Sequence, residues 1–259
     1  MSDDLSLALS LADVADAITV ERFLSSDLAI ETKPDLTPVT EADRAVEQAL
    51  RERLEQARPE DSILGEEYGV STAPDSERRW IIDPIDGTKN YVRGIPVWAT
   101  LLALQEGEEI VTGVVSAPAL GRRWWAARGV GAFVDDGLRG AEPRAIAVSG
   151  VRSLDDAQLC FAGLEDWPDG AERLRALAAR CWRSRGYGDF WGYMLLAEGA
   201  VDIACEPTVE LWDLAAPMVI VEQAGGRFTD LAGVPTAAGG DAIATNGSLH
   251  EAALAIIRR

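Results

Sequence analysis

Eleven residues, Trp80-Ile81-Ile82-Asp83-Pro84-Ile85-Asp86-Gly87-Thr88-Lys89-Asn90, limit what this chain can become more than any other stretch. The first three are apolar and read as a short buried strand. Pro84 has no N–H to continue a ladder, so the strand is predicted to break at Asp83-Pro84. The chain then leaves the sheet with two carboxylates three residues apart, followed at once by a glycine and a hydroxyl. In open α/β sheets ligands bind beyond the carboxyl ends of strands. Two carboxylates and a backbone carbonyl on one tight loop are hard oxygen donors suited to Mg²⁺. Gly87 and Thr88 can turn backbone N–H groups toward a phosphate oxygen, because glycine permits close backbone approach.

Charge narrows the class of partner. The formal net charge is −19 over 259 residues. That balance argues against nucleic acid and against an anionic membrane surface. If the substrate is itself an anion, a metal must mask these acids. The opening residues Met1-Ser2-Asp3-Asp4 are acidic where a signal peptide would be basic. No apolar run approaches the roughly 18 residues of a membrane span. Cys160, Cys181 and Cys205 are odd in number and lack CxxC spacing, the usage of a reducing, cytoplasmic protein. A length of 259 residues allows one large domain or two small ones.

The single histidine removes whole mechanisms. A Ser-His-Asp triad, a zincin helix or a phosphohistidine route would all rest on His250. It falls in a predicted terminal helix, where a surface position is expected. No cysteine begins a Cys-x5-Arg loop, so a cysteinyl-phosphate route has no support either.

From the N-terminus, Leu7, Leu11, Val14 and Ile18 recur at helical spacing and predict a first amphipathic helix. Residues 30–35 read as a loop. Thr40 is a good N-cap for a second helix whose buried face carries Val46, Leu50 and Leu54. Asp43 stands three residues after Thr40, in the place of a capping-box partner. Ser62-Ile63-Leu64 reads as a strand, and Gly65-Glu66-Glu67 puts acids at its end. Val97 to Leu104 and Ile110 to Val115 are two strands joined by a turn at Glu106-Gly107-Glu108-Glu109. Arg122 to Ala127 and Gly131 to Val134 form a further hairpin with its bend at Arg128-Gly129. The polar stretch 139–143 marks a boundary, dividing the chain into 1–140 and 141–259. The second part alternates strands and helices and reads as α/β. Its elements are strands at 158–161, 201–204 and 242–245 and helices at 171–181, 190–197, 214–224 and 249–257. Asp213 has an ordinary reading as the N-cap of the third of those helices.

These residues together resemble a known family. Gly65-Glu66-Glu67, the Trp80 to Thr88 run, and Leu211-Trp212-Asp213 with Ala224-Gly225-Gly226 are similar to the motifs of the inositol monophosphatase family. They stand in the right order and at compatible spacing over nearly the whole chain. Within the family the resemblance is closest to the bacterial histidinol-phosphatases. It rests on Thr32 to Thr40, on Arg122-Arg123-Trp124-Trp125-Ala126-Ala127-Arg128, and on Tyr187-Gly188-Asp189-Phe190 leading into Ala197-Glu198-Gly199-Ala200-Val201-Asp202.

The resemblance implies a layered α/β/α/β/α sandwich, usually homodimeric, and a Mg²⁺-dependent phosphomonoesterase with two or three ions per site. It implies side-chain metal ligands at Glu66, Asp83, Asp86 and Asp213, and a carbonyl ligand at Ile85. Asp86, Gly87 and Thr88 would surround the phosphate. Asp43 and Thr88 would orient or deprotonate the attacking water, with Glu66 also in the catalytic set. Glu206 would touch the organic part of the substrate, and Arg185 and Asp189 fall in a segment lining the same pocket. The implied reaction is hydrolysis of histidinol phosphate in histidine biosynthesis, with inositol 1-phosphate or another small phosphomonoester as the alternative. Physical chemistry agrees: four clustered carboxylates are intolerable without cations. In-line attack by water on a neutralised phosphate needs no nucleophilic side chain. Two rivals fit less well. An aspartyl-phosphate enzyme needs Asp-x-Asp, whereas Asp83 and Asp86 are spaced Asp-x-x-Asp. A binding protein that kept the fold would have no need of the full ligand set.

Overall fold

Strict alternation in the apolar strands sends side chains to opposite faces of one sheet, and this builds the layers. The computed structural model describes residues 3–32, 38–73, 76–137, 142–167 and 171–258. In strand Arg78–Asp86, Trp80 and Ile82 enter one core while Ile81 enters another; Leu102 and Leu104 oppose Leu101 and Ala103 in the same way. An eight-stranded sheet runs in the order 144–146, 131–135, 122–127, 109–117, 99–106, 78–86, 62–65, 69–71. Its pairs are antiparallel except for the parallel pair 62–65 with 78–86. A five-stranded sheet has the order 183–185, 158–161, 203–206, 242–245, 227–229.

Helices α1 (Asp3–Arg22) and α2 (Glu41–Ala57) cover the outer face of the larger sheet through Leu5, Leu11, Val46, Leu50 and Leu54. Helix α3 (Thr88–Val92) is a single short turn. Helix α4 (Glu172–Ala178) lies on the outer face of the smaller sheet. Helices α5 (Asp189–Ala197) and α6 (Leu211–Gln223) fill the space between the sheets, sharing one core with Ile81, Leu101, Ala204 and Ala244. Helix α7 (His250–Ile257) packs beside α4. The sequence of layers is therefore α1/α2, sheet, α5/α6, sheet, α4/α7, the α/β/α/β/α sandwich that the resemblance implied.

Several expectations change. The strand does not break at Asp83-Pro84 but continues to Asp86, with a register irregularity between Asp83 and Asp86. Proline is tolerated at such a bulge, and the Pro84 carbonyl accepts the hydroxyl of Thr100 at 2.8 Å. Residues 30–32 are a strand paired with 38–40, not a loop. The buried face of α1 is Leu5, Ala8, Leu11, Ala12, Ala15 and Thr19, so Leu7, Val14 and Ile18 lie on its flanks. Small alanines let the helix approach α2, a contact that counting large apolar residues misses. Strand 201–204 is displaced to Ile203–Glu206. Residues 33–37, part of the subfamily run at 32–40, lie outside the described residues, as does the boundary drawn between 140 and 141.

Candidate active site

Element ends converge on one edge of the larger sheet. Strand 78–86 delivers Asp83 and Asp86. Its parallel neighbour 62–65 ends just before Glu66, whose N–H donates to the Ile82 carbonyl at 3.2 Å. Helix α6 delivers Asp213 from its third residue. This corrects the helix boundary: α6 starts at Leu211, so Asp213 is inside it and Glu210 holds the N-cap. Asp213 still serves the helix end, because its Oδ2 accepts the Glu210 N–H at 2.8 Å. One carboxylate oxygen each from Asp83, Asp86 and Asp213 lies within 4.8 Å of the others.

Crowding and burial oppose ionisation of this group. Burial holds the Asp83 carboxyl well above the usual carboxylate range, helped by the charges of Glu66, Asp86, Asp213 and Asp43. Burial and then the charges of Asp189 and Asp213 do the same to Asp86. Asp213 is pushed up to about 7, by burial first, with the Glu66 charge adding to it. Such oxygen donors, mutually repelling and chemically hard, fit a divalent cation such as Mg²⁺, which removes the repulsion. The Ile85 carbonyl stands on the same turn; its N–H donates to Asp83 Oδ1 at 3.0 Å, and its oxygen accepts the Thr88 hydroxyl at 3.0 Å.

The two carboxylate oxygens of Asp43 have separate partners. Oδ2 accepts the Thr40 N–H at 2.8 Å and the Thr40 hydroxyl at 2.5 Å, completing a capping box. Oδ1 lies 3.4 Å from the Thr88 hydroxyl. Burial raises the Asp43 carboxyl to about 6 against the Thr40 bonds. Gly87 between Asp86 and Thr88 has φ of 82°. A Cβ there would meet the Val97 carbonyl at 3.0 Å, so this turn requires glycine.

On the other side of the cluster, Asp189 begins α5 with φ of 48°, a left-handed conformation uncommon for a non-glycine residue. Its Oδ2 accepts from the Asn90 amide at 3.1 Å, and the next N–H, of Phe190, donates to Asp86 Oδ2 at 2.6 Å. Glu206 ends strand 203–206, buried, and its Oε2 accepts the Tyr193 hydroxyl at 2.8 Å. Burial raises Glu206 to about 8, and the nearby charges of Asp189 and Asp213 act in the same direction. Arg185 is exposed at the end of an edge strand and donates to the Ser184 carbonyl at 2.7 Å; the structure does not bring it into the carboxylate group. Phe190 is buried core, and Trp191 is packed against it.

Sequence reasoning passed over Tyr193 and Glu47, a buried acid on α2. A glutamate in a charged helix looks like a solvated face, and a tyrosine in an apolar helix looks like core. The single histidine is also corrected. His250 is buried, its ring between the hydroxyls of Thr229 (3.0 Å) and Thr245 (3.1 Å). All three cysteines are free. No helix among the described residues is long and apolar enough to cross a membrane.

The chain is similar to known proteins over nearly its whole length. A histidinol-phosphatase of Mycobacterium tuberculosis is 57% identical over 254 residues, covering 97% of this chain and 96% of that protein. A histidinol-phosphatase of Streptomyces coelicolor is 52% identical over 264 residues, covering 99% and 97%. The crystal structure of the extragenic suppressor protein suhB from Bartonella henselae superposes with a TM-score of 0.90 at 29% identity, covering 100% of this chain and 99% of that one. The model of the inositol monophosphatase family matches residues 2–259, and the chain belongs to that family.

Proposed function

We propose that this protein is a Mg²⁺-dependent histidinol-phosphatase, converting histidinol phosphate and water to histidinol and phosphate in histidine biosynthesis. The observation that carries the metal chemistry is the convergence of Asp83, Asp86 and Asp213 within 4.8 Å. The substrate reading is supported by the names of the relatives at 57% and 52% identity.

Asp83, Asp86 and Asp213, with Glu66 and the Ile85 carbonyl, would hold the ions, two or three per site. Bound there, Mg²⁺ supplies charge neutralisation at the phosphate, a more acidic water and stabilisation of the leaving oxygen. Every other part belongs to the chain. The Gly87 turn presents the N–H groups of Gly87 and Thr88 to the phosphate. The Thr88 hydroxyl, between Asp43 Oδ1 and the Ile85 carbonyl, orients the attacking water. Asp43 accepts its proton, and a carboxyl raised to about 6 is well matched to a general base near neutral pH. Glu206 and Asp189 face the organic end, where histidinol phosphate carries an ammonium.

The residues from 1–140 supply most of the ligands and those from 141–259 supply Asp213, Asp189 and Glu206, so we treat the two parts as one catalytic unit. A cytoplasmic homodimer is the assembly we expect from the family. The test is a phosphate-release panel of histidinol phosphate, inositol 1-phosphate, fructose 1,6-bisphosphate and 3′-phosphoadenosine 5′-phosphate, each with and without Mg²⁺. Histidinol phosphate should be turned over best, and only with Mg²⁺. Much faster turnover of inositol 1-phosphate would overturn the substrate while leaving the metal chemistry standing.

A further inference from the structure

Helix α2 carries a second acid one turn after Asp43, and nothing in the reaction as described uses it. Glu47 is fully buried, with 0% exposure. Its Oε2 accepts the Glu67 N–H at 2.7 Å, and its Oε1 accepts the Tyr68 N–H at 3.2 Å. Arg51, one further turn along, donates from Nε to the same Oε1 at 2.8 Å. The Arg51 guanidinium also reaches past Glu47 to the Gly69 carbonyl and to the Ser71 hydroxyl. A carboxylate, an arginine and four backbone or side-chain groups of the 67–71 segment thus form one connected unit. Charge-assisted bonds of this kind are the strong ones, and burial magnifies the cost of breaking them.

The space for this unit depends on Gly65. A Cβ on Gly65 would lie 2.0 Å from Glu47 Oε1, so the carboxylate occupies the room that a side chain would take. The glycine of Gly65-Glu66-Glu67 is thereby explained by close approach and not by turn geometry. The Glu66 backbone is consequently held from two sides. Its own N–H is bonded to Ile82 in the strand that carries Asp83, and the two N–H groups that follow it are bonded to Glu47.

We infer that Glu47, braced by Arg51, is a positioning residue that fixes the Glu66 turn against Asp83 and so sets the affinity of the site for Mg²⁺. One rigid helix would then align both Asp43 and Glu66, which stand on different segments of the chain. The inference rests on the reading of Glu66 as a metal ligand.

The test compares Glu47→Gln, Arg51→Gln and Glu66→Gln with the wild type. Mg²⁺ binding to the substrate-free protein is read by calorimetry and by the Mg²⁺-induced rise in melting temperature. Turnover is read as a function of Mg²⁺. Glutamine keeps the shape of Glu47 but offers one acceptor oxygen in place of two and no charge for Arg51. Glu47→Gln is expected to weaken Mg²⁺ binding by about tenfold or more, the usual scale for a partner that orients a metal ligand. The half-saturating Mg²⁺ for turnover should rise in parallel, with kcat largely recovered at saturating Mg²⁺. Arg51→Gln should shift both in the same direction by less, and it serves as the deciding variant if Glu47→Gln does not fold. A folded variant with a lower melting temperature but wild-type Mg²⁺ affinity would make Glu47 a stability element only and overturn the inference. If Glu66→Gln weakens Mg²⁺ binding and neither of the others does, the positioning role falls and the ligand assignment stands. If Glu66→Gln binds Mg²⁺ as the wild type does, both fall.

Discussion

Asp213→Asn separates the cost of a buried, crowded charge from every other role of this residue. Asp213 is raised to about 7, chiefly by burial and then by the Glu66 charge, from an ordinary value of 3.8. A group whose folded pKa lies above its unfolded one stabilises the fold fully at low pH and loses that stability as pH rises through the folded value. At pH 8 without metal, the wild type carries this penalty; near pH 4 it does not. Three units at about 1.4 kcal/mol each set a ceiling of about 4 kcal/mol. Asp213 is partly open to solvent, so screening reduces the figure, and we expect about 1–2 kcal/mol. Asparagine at this third helical position keeps an oxygen to accept the Glu210 N–H, so little is lost in exchange. For a chain of this size that gain is a rise in melting temperature of about 2–4 °C. The assay is a thermal melt of both proteins in EDTA at pH 4.5 and pH 8, repeated at pH 8 with Mg²⁺. The variant should be more stable only at pH 8 and only without metal. With Mg²⁺ the wild type should overtake it, since a ligand at a hundred times its Kd adds about 2.7 kcal/mol to the protein that binds it. A variant advantage of equal size at both pH values would refute the argument from a buried charge, and wild-type turnover would refute the metal role.

Asp43→Asn should lower kcat by about 10² to 10⁴, as expected for loss of a general base, while removing only about 1 kcal/mol of helix capping; an unchanged kcat per folded molecule would return Asp43 to a purely structural part. Burial holds His250 down to about 4, so it is neutral in the fold and takes up a proton more readily when unfolded. Stability should therefore fall as pH drops from about 6.5 to 4, by no more than about 3 kcal/mol, and His250→Gln should flatten that part of the pH–stability curve. Asp83→Asn should abolish Mg²⁺-dependent phosphate release with the circular dichroism spectrum unchanged; residual turnover near the wild-type rate would remove Asp83 from the ligand set.

What the chain disclosed in sequence divides along a physical line. Strands 99–106 and 109–117 are long apolar runs, buried on both faces, so they were visible in sequence without tertiary knowledge, whereas only the apolar start of strand 78–86 was, because Pro84 hid its continuation to Asp86. Helix α2 announced its start at Thr40, and the acids at strand ends announced a hard-oxygen site. Three-residue strands such as 69–71, 183–185 and 227–229 carry no period of their own and exist because a longer neighbour offers them a ladder. The same holds for the buried polar groups. His250 is tolerable inside only because Thr229 and Thr245, on two adjacent strands, flank it. Glu47 is tolerable only because the 67–68 amides lie above it and Arg51 beside it. Each depends on partners supplied by separate elements of the fold, and spacing along a chain does not encode such partners.

Glu206 is the residue whose chemistry differs most between sequence and fold. In sequence, Glu206 is a fixed negative charge awaiting an ammonium. In the fold it is a buried carboxyl raised to about 8, bonded to Tyr193 and faced by Asp189 and Asp213. Without a cation beside it, it holds its proton at neutral pH. An arriving ammonium must therefore ionise it, at a cost of about 1.4 kcal/mol for one unit near pH 7. An ion pair in a dry site contributes about 2–5 kcal/mol, so a net of about 1–3 kcal/mol is left for binding. Glu206→Gln should accordingly reduce kcat/KM for histidinol phosphate by about tenfold to a hundredfold, at saturating Mg²⁺. Glutamine still accepts the Tyr193 hydroxyl, so the pocket keeps its shape. A small ester whose organic part is uncharged, such as phenyl phosphate, has no ammonium to pair and should lose far less. Binding of a histidinol-like amine should also release a proton, measurable as a dependence of the binding enthalpy on buffer ionisation. Equal loss for both esters, with no proton released, would mean that Glu206 shapes the pocket without recognising charge, and the ammonium reading would fall.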